Sequence, residues 1–306
     1  MIVAYASSCI LTIFVNPEVT FWNEAVSRRL DAIASIREKE PGEPIIFFTG
    51  GSSCAFSIDP EIIEKITGRP AINMGLPVAA GAHYIIHQAL RQARPGDTIV
   101  YTTAADILTF PDQEFSPAKI SFALESRRGL PTEYAGGSTF GNSLTIPQSL
   151  TLSRPGVDYL IVLAGRMANG KGYRYKLPDI RYRGLIQTPV RDPSLKPAGP
   201  RTAVNLDPEG RQLLETFVAA AKQKGVQVVY SMPLTYTATA DLAASRNKNR
   251  EFLTEIEKIM PVIDDGYSGA IDNIENFADG GRHLSESGSG IRSRALARAL
   301  QLYLDK

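Results

Sequence analysis

Short apolar runs that alternate with helical segments are the feature that most constrains the fold of this 306-residue chain. The runs have the length of buried strands, and the segments between them carry apolar residues at helical spacing. The predicted strands are 45–48, 70–73, 98–103, 158–163 and 226–231, and the predicted helices are 22–39, 60–67, 80–93, 207–224, 253–259 and 285–304. Such alternation indicates a parallel sheet covered on both faces, so we predict a three-layer α/β/α sandwich.

Composition excludes several classes of function. A hydrophobic content of 43% supports a full core, and a net charge of +1 gives no general attraction to nucleic acid. Cys9 and Cys54 do not form a disulfide framework. The chain has no phosphate loop, dinucleotide fingerprint or cysteine-pair metal motif. We therefore predict no cofactor, no metal and no nucleic-acid partner.

Two stretches interrupt the alternation. Residues 110–155 are rich in Ser, Thr, Gly and Pro, and residues 166–201 carry nine Lys or Arg against two Asp, with interleaved tyrosines. The basic stretch could be a solvated loop, or it could bind an anionic polymer or stack on sugar rings. We predict a single domain over residues 21–306, with insertions at about 110–155 and 166–201.

The amino terminus, from Met1 to Val15, contains no charged residue. This run is shorter than the ~20 residues that span a bilayer. It also lacks the basic residues that precede the apolar core of a signal peptide. Both features would be explained if residues upstream of Met1 were missing. The alternative is that this run forms a buried first strand or helix of the domain. We predict that residues 1–20 are a truncated membrane anchor that holds the domain on the extracytoplasmic side.

Two short motifs, more than two hundred residues apart, carry the chemistry. The first predicted strand runs into Gly50-Gly51-Ser52-Ser53, and Asp279 stands four residues before His283 near the carboxyl end. A serine at a glycine-rich strand exit becomes a nucleophile when a histidine, oriented by a carboxylate, removes its proton. The alternative is a plain turn with a helix cap. Together the two motifs favour a serine hydrolase or an acyltransferase.

These motifs resemble those of the SGNH (GDSL-type) hydrolase superfamily, which has a flavodoxin-like sheet, and most closely its membrane-anchored DltD-like and alginate-acetylation-like branches. The resemblance implies that Ser52 is the nucleophile, with Ser53 as the alternate. It implies that His283 is the base and Asp279 the acid that orients it. It also implies an oxyanion hole formed by the backbone amides of Ser52 and Gly75, where Gly75 follows the second predicted strand.

The chain departs from the family pattern after the third predicted strand. Ala105 stands where the family has an asparagine that donates to the oxyanion, and Asn169 is a remote candidate to replace it. The spacing from Asp279 to His283 is the longer one found in the anchored branches. Asp272 is an alternative acid.

The sequence thus predicts a serine-dependent ester hydrolase or O-acyltransferase that acts through an acyl-serine. Its substrate would be an ester or an acylated carbohydrate of the cell envelope, and a membrane-bound acyltransferase is a possible partner. The alternative is a non-catalytic protein of the same fold that binds a polysaccharide or such a partner. His83 and His87 have a spacing used by zinc sites, but no third ligand accompanies them, so packing or surface roles are expected.

Overall fold

A four-stranded parallel sheet forms the centre of the molecule. The computed structural model describes residues 17–109, 164, 173–201 and 204–305. The strands of this sheet are β1 (Ile46–Gly50), β2 (Ala71–Asn73), β3 (Thr98–Thr102) and β4 (Gln227–Tyr230). They lie in the order β2-β1-β3-β4, and every neighbouring pair is parallel.

Helices cover both faces of the sheet. The helices of the described residues are α1 (Pro17–Lys39), α2 (Ser52–Ala55), α3 (Pro60–Thr67), α4 (Ala82–Gln92), α5 (Ala105–Thr109), α6 (Pro208–Gln223), α7 (Leu242–Glu257) and α8 (Glu286–Leu304). Phe47 packs in a core with residues of α1, α4, α6 and α7, whereas Phe48 packs in a second core with residues of α3 and α8. Neighbouring strand residues point to opposite faces, so an apolar strand supplies both cores.

Capping residues set the helix ends that the sequence indicated. The Asp59 side chain accepts a hydrogen bond from the Glu61 amide at the start of α3, and Gly68 ends that helix with a positive φ of 70°. Ser285 caps α8 in the same way by accepting from the Gly288 amide. These side chains satisfy amides that a helix leaves free at its first turn.

The predicted fold is confirmed: the protein is an α/β fold with a central parallel sheet between layers of helices. Four of the five predicted strands are present to within two residues, and the fifth, 158–163, lies outside the described residues. The prediction for 253–259 was too short, since α7 begins at Leu242. The insertion at 110–155, Asn169 and most of the predicted anchor also lie outside the described residues, although residues 17–20 belong to α1.

Two short strand pairs and several 3₁₀ turns complete the described part of the fold. The additional strands are β5 (Thr235–Tyr236), β6 (Ala270–Ile271), β7 (Phe277–Gly280) and β8 (His283–Leu284). β5 and β6 are parallel, and β7 and β8 form an antiparallel hairpin in which Gly280 pairs with His283. Within the described ranges, no helix has the length and apolar character needed to cross a membrane.

The basic segment 173–201 lies against the domain. Arg183 pairs with Glu64 of α3, and Arg191 Nη1 lies 2.6 Å from Glu275 Oε2. Buried Arg29 of α1 donates to the carbonyl of Gly184 at 2.9 Å and to that of Gly75 at 2.7 Å. These contacts tie part of the insertion to the domain, while many of its residues remain exposed to solvent.

Candidate functional site

The order of the strands decides where the site lies. The chain leaves β1 toward β2 on one side and later places β3 on the other side of β1. A crevice opens at the carboxyl ends of parallel strands where the order reverses in this way. The residues after β1 and β3 line this crevice, and β1 ends at Gly50, two residues before Ser52.

Backbone contacts fix the position of Ser52. A Cβ on Gly50 would overlap the carbonyl oxygen of Thr102 in β3, so only glycine lets the two strand ends approach this closely. Ser52 then begins α2, with Gly51 as its N-cap. The hydroxyl is thereby carried on a rigid strand-to-helix turn at the edge of the crevice.

The β7–β8 hairpin supplies the other two groups. Asp279 lies in β7 and His283 begins β8, with Gly281 and Arg282 as the turn between the strands. Arg282 Nη1 lies 2.8 Å from Asp106 Oδ2 at the start of α5, which ties the hairpin to the residues after β3. The residues between Asp279 and His283 thus form the turn of a hairpin.

The structure brings Ser52, His283 and Asp279 into one hydrogen-bonded chain. His283 Nε2 lies 3.0 Å from Ser52 Oγ, and His283 Nδ1 lies 2.9 Å from Asp279 Oδ1. The Asp279 side chain is fully buried, and the histidine side chain is 20% exposed. The predicted contact between a serine of the glycine-rich motif and His283 is confirmed, and Ser52 is the serine that makes it; Ser53 is buried beside it.

Burial and hydrogen bonding act in opposite directions on Asp279. Burial raises its pKa, but hydrogen bonds with His283 and Tyr175, together with the charges of His283 and Arg174, outweigh burial and lower the pKa overall. Asp279 therefore remains a carboxylate, the form that orients an imidazole and stabilises its cation.

The predicted role of Gly75 does not fit its surroundings. The Gly75 amide donates to Asn73 Oδ1 at 2.9 Å, and Gly75 does not line the cleft. A Cβ there would overlap the backbone nitrogen of Ala55 in α2. Glycine is required at this position because two backbone segments meet, and its amide is not directed at a substrate.

Asn73, which the sequence analysis did not single out, fastens β2 to the turn after Ser52. Its Nδ2 donates to the carbonyls of Cys54 at 2.9 Å and Ile58 at 2.8 Å. An asparagine that ends an apolar strand was the available signal, because a buried amide group needs partners from the neighbouring backbone. Cys54 is also buried, and burial raises the pKa of its thiol to about 12, so it does not compete with Ser52 as a nucleophile.

A cleft of about 420 Å³ opens beside Ser52 and His283, within the size range of small-molecule sites. Val78, Ala104 and Ile107 give it an apolar wall, and Lys196, Tyr236 and Arg282 lie on its polar side. Ala105 is buried in the core and its side chain has no donor group. Its neighbours Ala104 and Ile107 form part of the cleft wall.

Val78 was also missed by the sequence analysis. It begins the 3₁₀ turn Val78–Ala80, and Pro77, the residue before it, offers no side-chain cap. The Val78 amide has no hydrogen-bond partner within the part of the chain that the structure describes. Val78 Cγ2 lies 3.1 Å from the position of a Cβ on Gly51, so this residue stands next to Ser52.

The two histidines of α4 meet no third metal-binding side chain among the described residues. His83 and His87 are both partly buried on that helix. Over the described ranges, no group of three or more His, Cys, Asp or Glu side chains is arranged to hold a metal ion.

Comparison with known proteins gives one solved structure to report. It is described as "a putative lipolytic protein of G-D-S-L family" from Desulfitobacterium hafniense DCB-2, and it covers 84% of this chain and 99% of its own at 10% identity and a TM-score of 0.38. No protein-family model matches the sequence, and no curated protein matches it. The chain thus has a distant structural similarity to a GDSL-family protein. A similarity at this level is not evidence of a shared activity, which has to be argued from the site itself.

Proposed function

We propose that this chain is a serine-dependent ester hydrolase or O-acyltransferase that acts through an acyl-serine intermediate. The observation that carries the proposal is the unbroken chain of contacts from Ser52 Oγ through His283 to Asp279, with separations of 3.0 and 2.9 Å. Each contact is within the ~2.6–3.2 Å that proton transfer and orientation require.

The geometry defines the role of each group. Ser52 Oγ attacks the ester carbonyl carbon while His283 Nε2 takes the hydroxyl proton, which gives a tetrahedral oxyanion and an imidazolium. The C–O bond to the leaving alkoxide then breaks, and the alkoxide receives that proton from His283. Water, or the hydroxyl of an acceptor, next loses a proton to His283 and attacks the acyl carbon. The bond from that carbon to Ser52 Oγ then breaks, and Ser52 Oγ receives the proton from His283.

Because the Ala105 side chain cannot donate a hydrogen bond, the oxyanion needs donors from the backbone. Ser52 lies in the first turn of α2, where no side chain caps the helix. We therefore keep the Ser52 backbone amide as one donor to the oxyanion. We propose the unpartnered amide of Val78 as the second donor, in place of Gly75. A single such donor is worth about 100-fold or more in kcat.

The lining of the cleft suits a small acyl group and a polar partner. Val78 and Ile107 offer apolar contact to an acyl chain, and Tyr236 and Lys196 offer hydrogen bonds to a hydroxylated group. We propose an acylated carbohydrate as the substrate class, with a sugar hydroxyl as the acceptor in the transferase case.

Covalent labelling tests the proposal. Wild-type protein should react with a fluorophosphonate probe and hydrolyse p-nitrophenyl acetate, and Ser52→Ala should lose both reactions. Ser53→Ala is the matched control, because it removes the neighbouring hydroxyl that does not contact His283, and it should keep the label. A folded wild-type protein that takes no label would instead support the non-catalytic alternative, in which the cleft only binds a polysaccharide or a partner.

We also propose that the domain is held at a membrane on its extracytoplasmic side, as in the anchored branches that its motifs resemble. The support is the uncharged run from Met1 to Val15. Fractionation of cells that express the gene with its upstream region tests this proposal. Recovery of all the protein in the soluble cytoplasmic fraction would contradict it.

A further inference from the structure

A tyrosine outside every motif of the sequence contacts the acid of the candidate triad. The Tyr175 hydroxyl donates to Asp279 Oδ2 at 2.7 Å and lies 3.4 Å from His283 Nδ1. The other carboxylate oxygen, Oδ1, faces the imidazole. The tyrosine and the histidine therefore share one carboxylate, with one oxygen for each.

Aromatic packing fixes this hydroxyl. Tyr175 is 7% exposed, and its ring centroid lies 4.8 Å from that of Phe56 and 5.2 Å from that of Tyr173. Phe56 also stacks on His283, with centroids 4.2 Å apart and an interplanar angle of 12°. The imidazole and the phenol thus contact the same buried phenylalanine, so their relative position is set by packing.

Arg174 makes a weaker contact with the same oxygen. Its Nη1 lies 3.0 Å from Asp279 Oδ2, but its side chain is 55% exposed. Water and salt screen an exposed cation, whereas a buried hydroxyl is not screened. The effects of Arg174 and Tyr175 on Asp279 can therefore be distinguished by experiment.

We propose that Tyr175 is a positioning residue for the Asp279–His283 pair. Its hydroxyl occupies Oδ2, so the imidazole N–H has only Oδ1 as its acceptor, and that orientation directs His283 Nε2 toward Ser52. Burial and the neighbouring carboxylate raise the pKa of Tyr175, so the phenol stays protonated and remains a donor. The inference rests on the proposed function, since it assigns a residue that supports that chemistry.

Tyr175→Phe removes the hydroxyl and keeps the ring. Without this donor the carboxylate becomes more basic, so the Asp279–His283 pair takes up a proton more readily and the acid limb of the activity profile moves to higher pH. A shift of about one pH unit is the scale of a hydrogen bond to a charged group. We also expect about a tenfold loss of rate at the plateau, because the imidazole is less well oriented.

The test measures the rate of fluorophosphonate labelling from about pH 5 to pH 9, the range that contains the acid limb and the plateau of a histidine-dependent reaction. Tyr173→Phe is the matched control. It removes a hydroxyl from the same aromatic cluster, one that accepts from Trp22 Nε1 at 3.0 Å, and it leaves Asp279 untouched. We expect the Tyr173→Phe profile to coincide with wild type and the Tyr175→Phe profile to be shifted.

The outcomes separate this inference from the proposed function. If wild type labels and Tyr175→Phe has the same profile as Tyr173→Phe, the positioning role is overturned while the serine chemistry stands. If wild type does not label at all, the serine chemistry fails and the positioning role fails with it. NMR titration of the His283 imidazole, assigned with His283→Gln, gives a readout independent of turnover, and an unchanged midpoint in Tyr175→Phe also overturns the inference.

The salt dependence of the pH profile distinguishes the effect of Tyr175 from that of Arg174. Arg174→Gln should move the acid limb in the same direction by a smaller amount at low salt, and this shift should disappear at about 0.5 M salt, where surface charges are screened. The Tyr175→Phe shift should persist at that salt concentration. If both shifts disappeared, long-range electrostatic interactions would be their cause. That result would overturn a specific role for the Tyr175 hydroxyl.

Discussion

The two halves of the candidate triad are held in different ways. Ser52 follows a buried central strand and is positioned by backbone contacts, above all the close approach of Gly50 to Thr102. His283 and Asp279 lie on a short hairpin at the edge of the domain and are positioned by side chains of distant segments, namely Phe56, Tyr175 and Arg174. A Cβ added at the close backbone approach beside Ser52 should therefore affect folding, whereas a Cβ added on the hairpin beside His283 should affect chemistry.

The largest expected effect is on the histidine side. Asp279→Asn should fold normally and lose activity on the order of ten-thousand-fold, the loss known for the same change in a serine protease. His283→Ala should lose at least as much, since the base itself is removed. Steady-state kinetics with p-nitrophenyl acetate measures both losses.

Asp272→Asn is the control for this prediction. Among the described residues, Asp272 makes no hydrogen bond or ion pair with His283, whereas Asp279 makes both. The Asp272→Asn variant should keep activity within about twofold of wild type, as expected for a surface change. Loss of activity in Asp272→Asn with retention in Asp279→Asn would reverse the assignment of the acid.

The next largest effect concerns the oxyanion donor on the serine side. Val78→Pro removes the Val78 amide N–H without breaking a hydrogen bond, and proline is tolerated at the first position of a helical turn. Pro77, with ψ of 145°, already has the conformation that a following proline requires. We expect kcat to fall by about 100-fold with the thermal midpoint unchanged.

Val78→Ala is the control for that donor, because it shortens the side chain and keeps the amide. Its kcat should remain within about threefold of wild type, the range of a small apolar truncation at a partly exposed site. Equal activity of the Val78→Pro and Val78→Ala variants would show that the Val78 amide does not donate to the oxyanion.

A pair of glycine substitutions tests the comparison directly. Gly50→Ala forces a Cβ onto the backbone of β3 and should cost about 3 kcal/mol of unfolding free energy. A Cβ on Gly280 would stand 3.2 Å from His283 Nδ1, so Gly280→Ala should displace the imidazole by a few tenths of an ångström and reduce kcat about tenfold at nearly unchanged stability. Urea denaturation and kinetics on both variants measure the two effects.

Gly281→Ala is the matched control on the hairpin, since a Cβ there meets nothing within 4 Å. Gly281→Ala should leave both kcat and the free energy of unfolding nearly unchanged. If Gly280→Ala lost stability as Gly50→Ala does, the proposed difference between the two sides would disappear.

The smallest expected effect is on stability in acid. The folded-state pKa of Asp279 is lowered, so its ionised form stabilises the fold above the unfolded pKa of about 4, and that contribution is lost as the pH falls through the folded value. The difference in unfolding free energy between wild type and Asp279→Asn should shrink as the pH is lowered from about 5 to 3. A difference that stays constant over this interval would show that the carboxylate is not stabilised by its partners.

The sequence was sufficient for the main strands and most of the helices, and for the three residues that the structure joins by hydrogen bonds. Apolar periodicity and the glycines at the end of β1 are local signals, because they depend on residues that are neighbours in the chain. The local signals pointed to the two motifs, and the family resemblance selected Ser52, Asp279 and His283 within them.

The contacts that complete the site were decided by the tertiary structure alone. Tyr175 meets Asp279 across 104 residues, and no pattern near either residue records that meeting. Gly75 had the residue type of an oxyanion donor, yet its amide is taken by Asn73, because the buried end of β2 needs its polar groups satisfied. A sequence shows which groups can donate or accept, but which of them remain free to meet a substrate depends on how the packed segments satisfy one another.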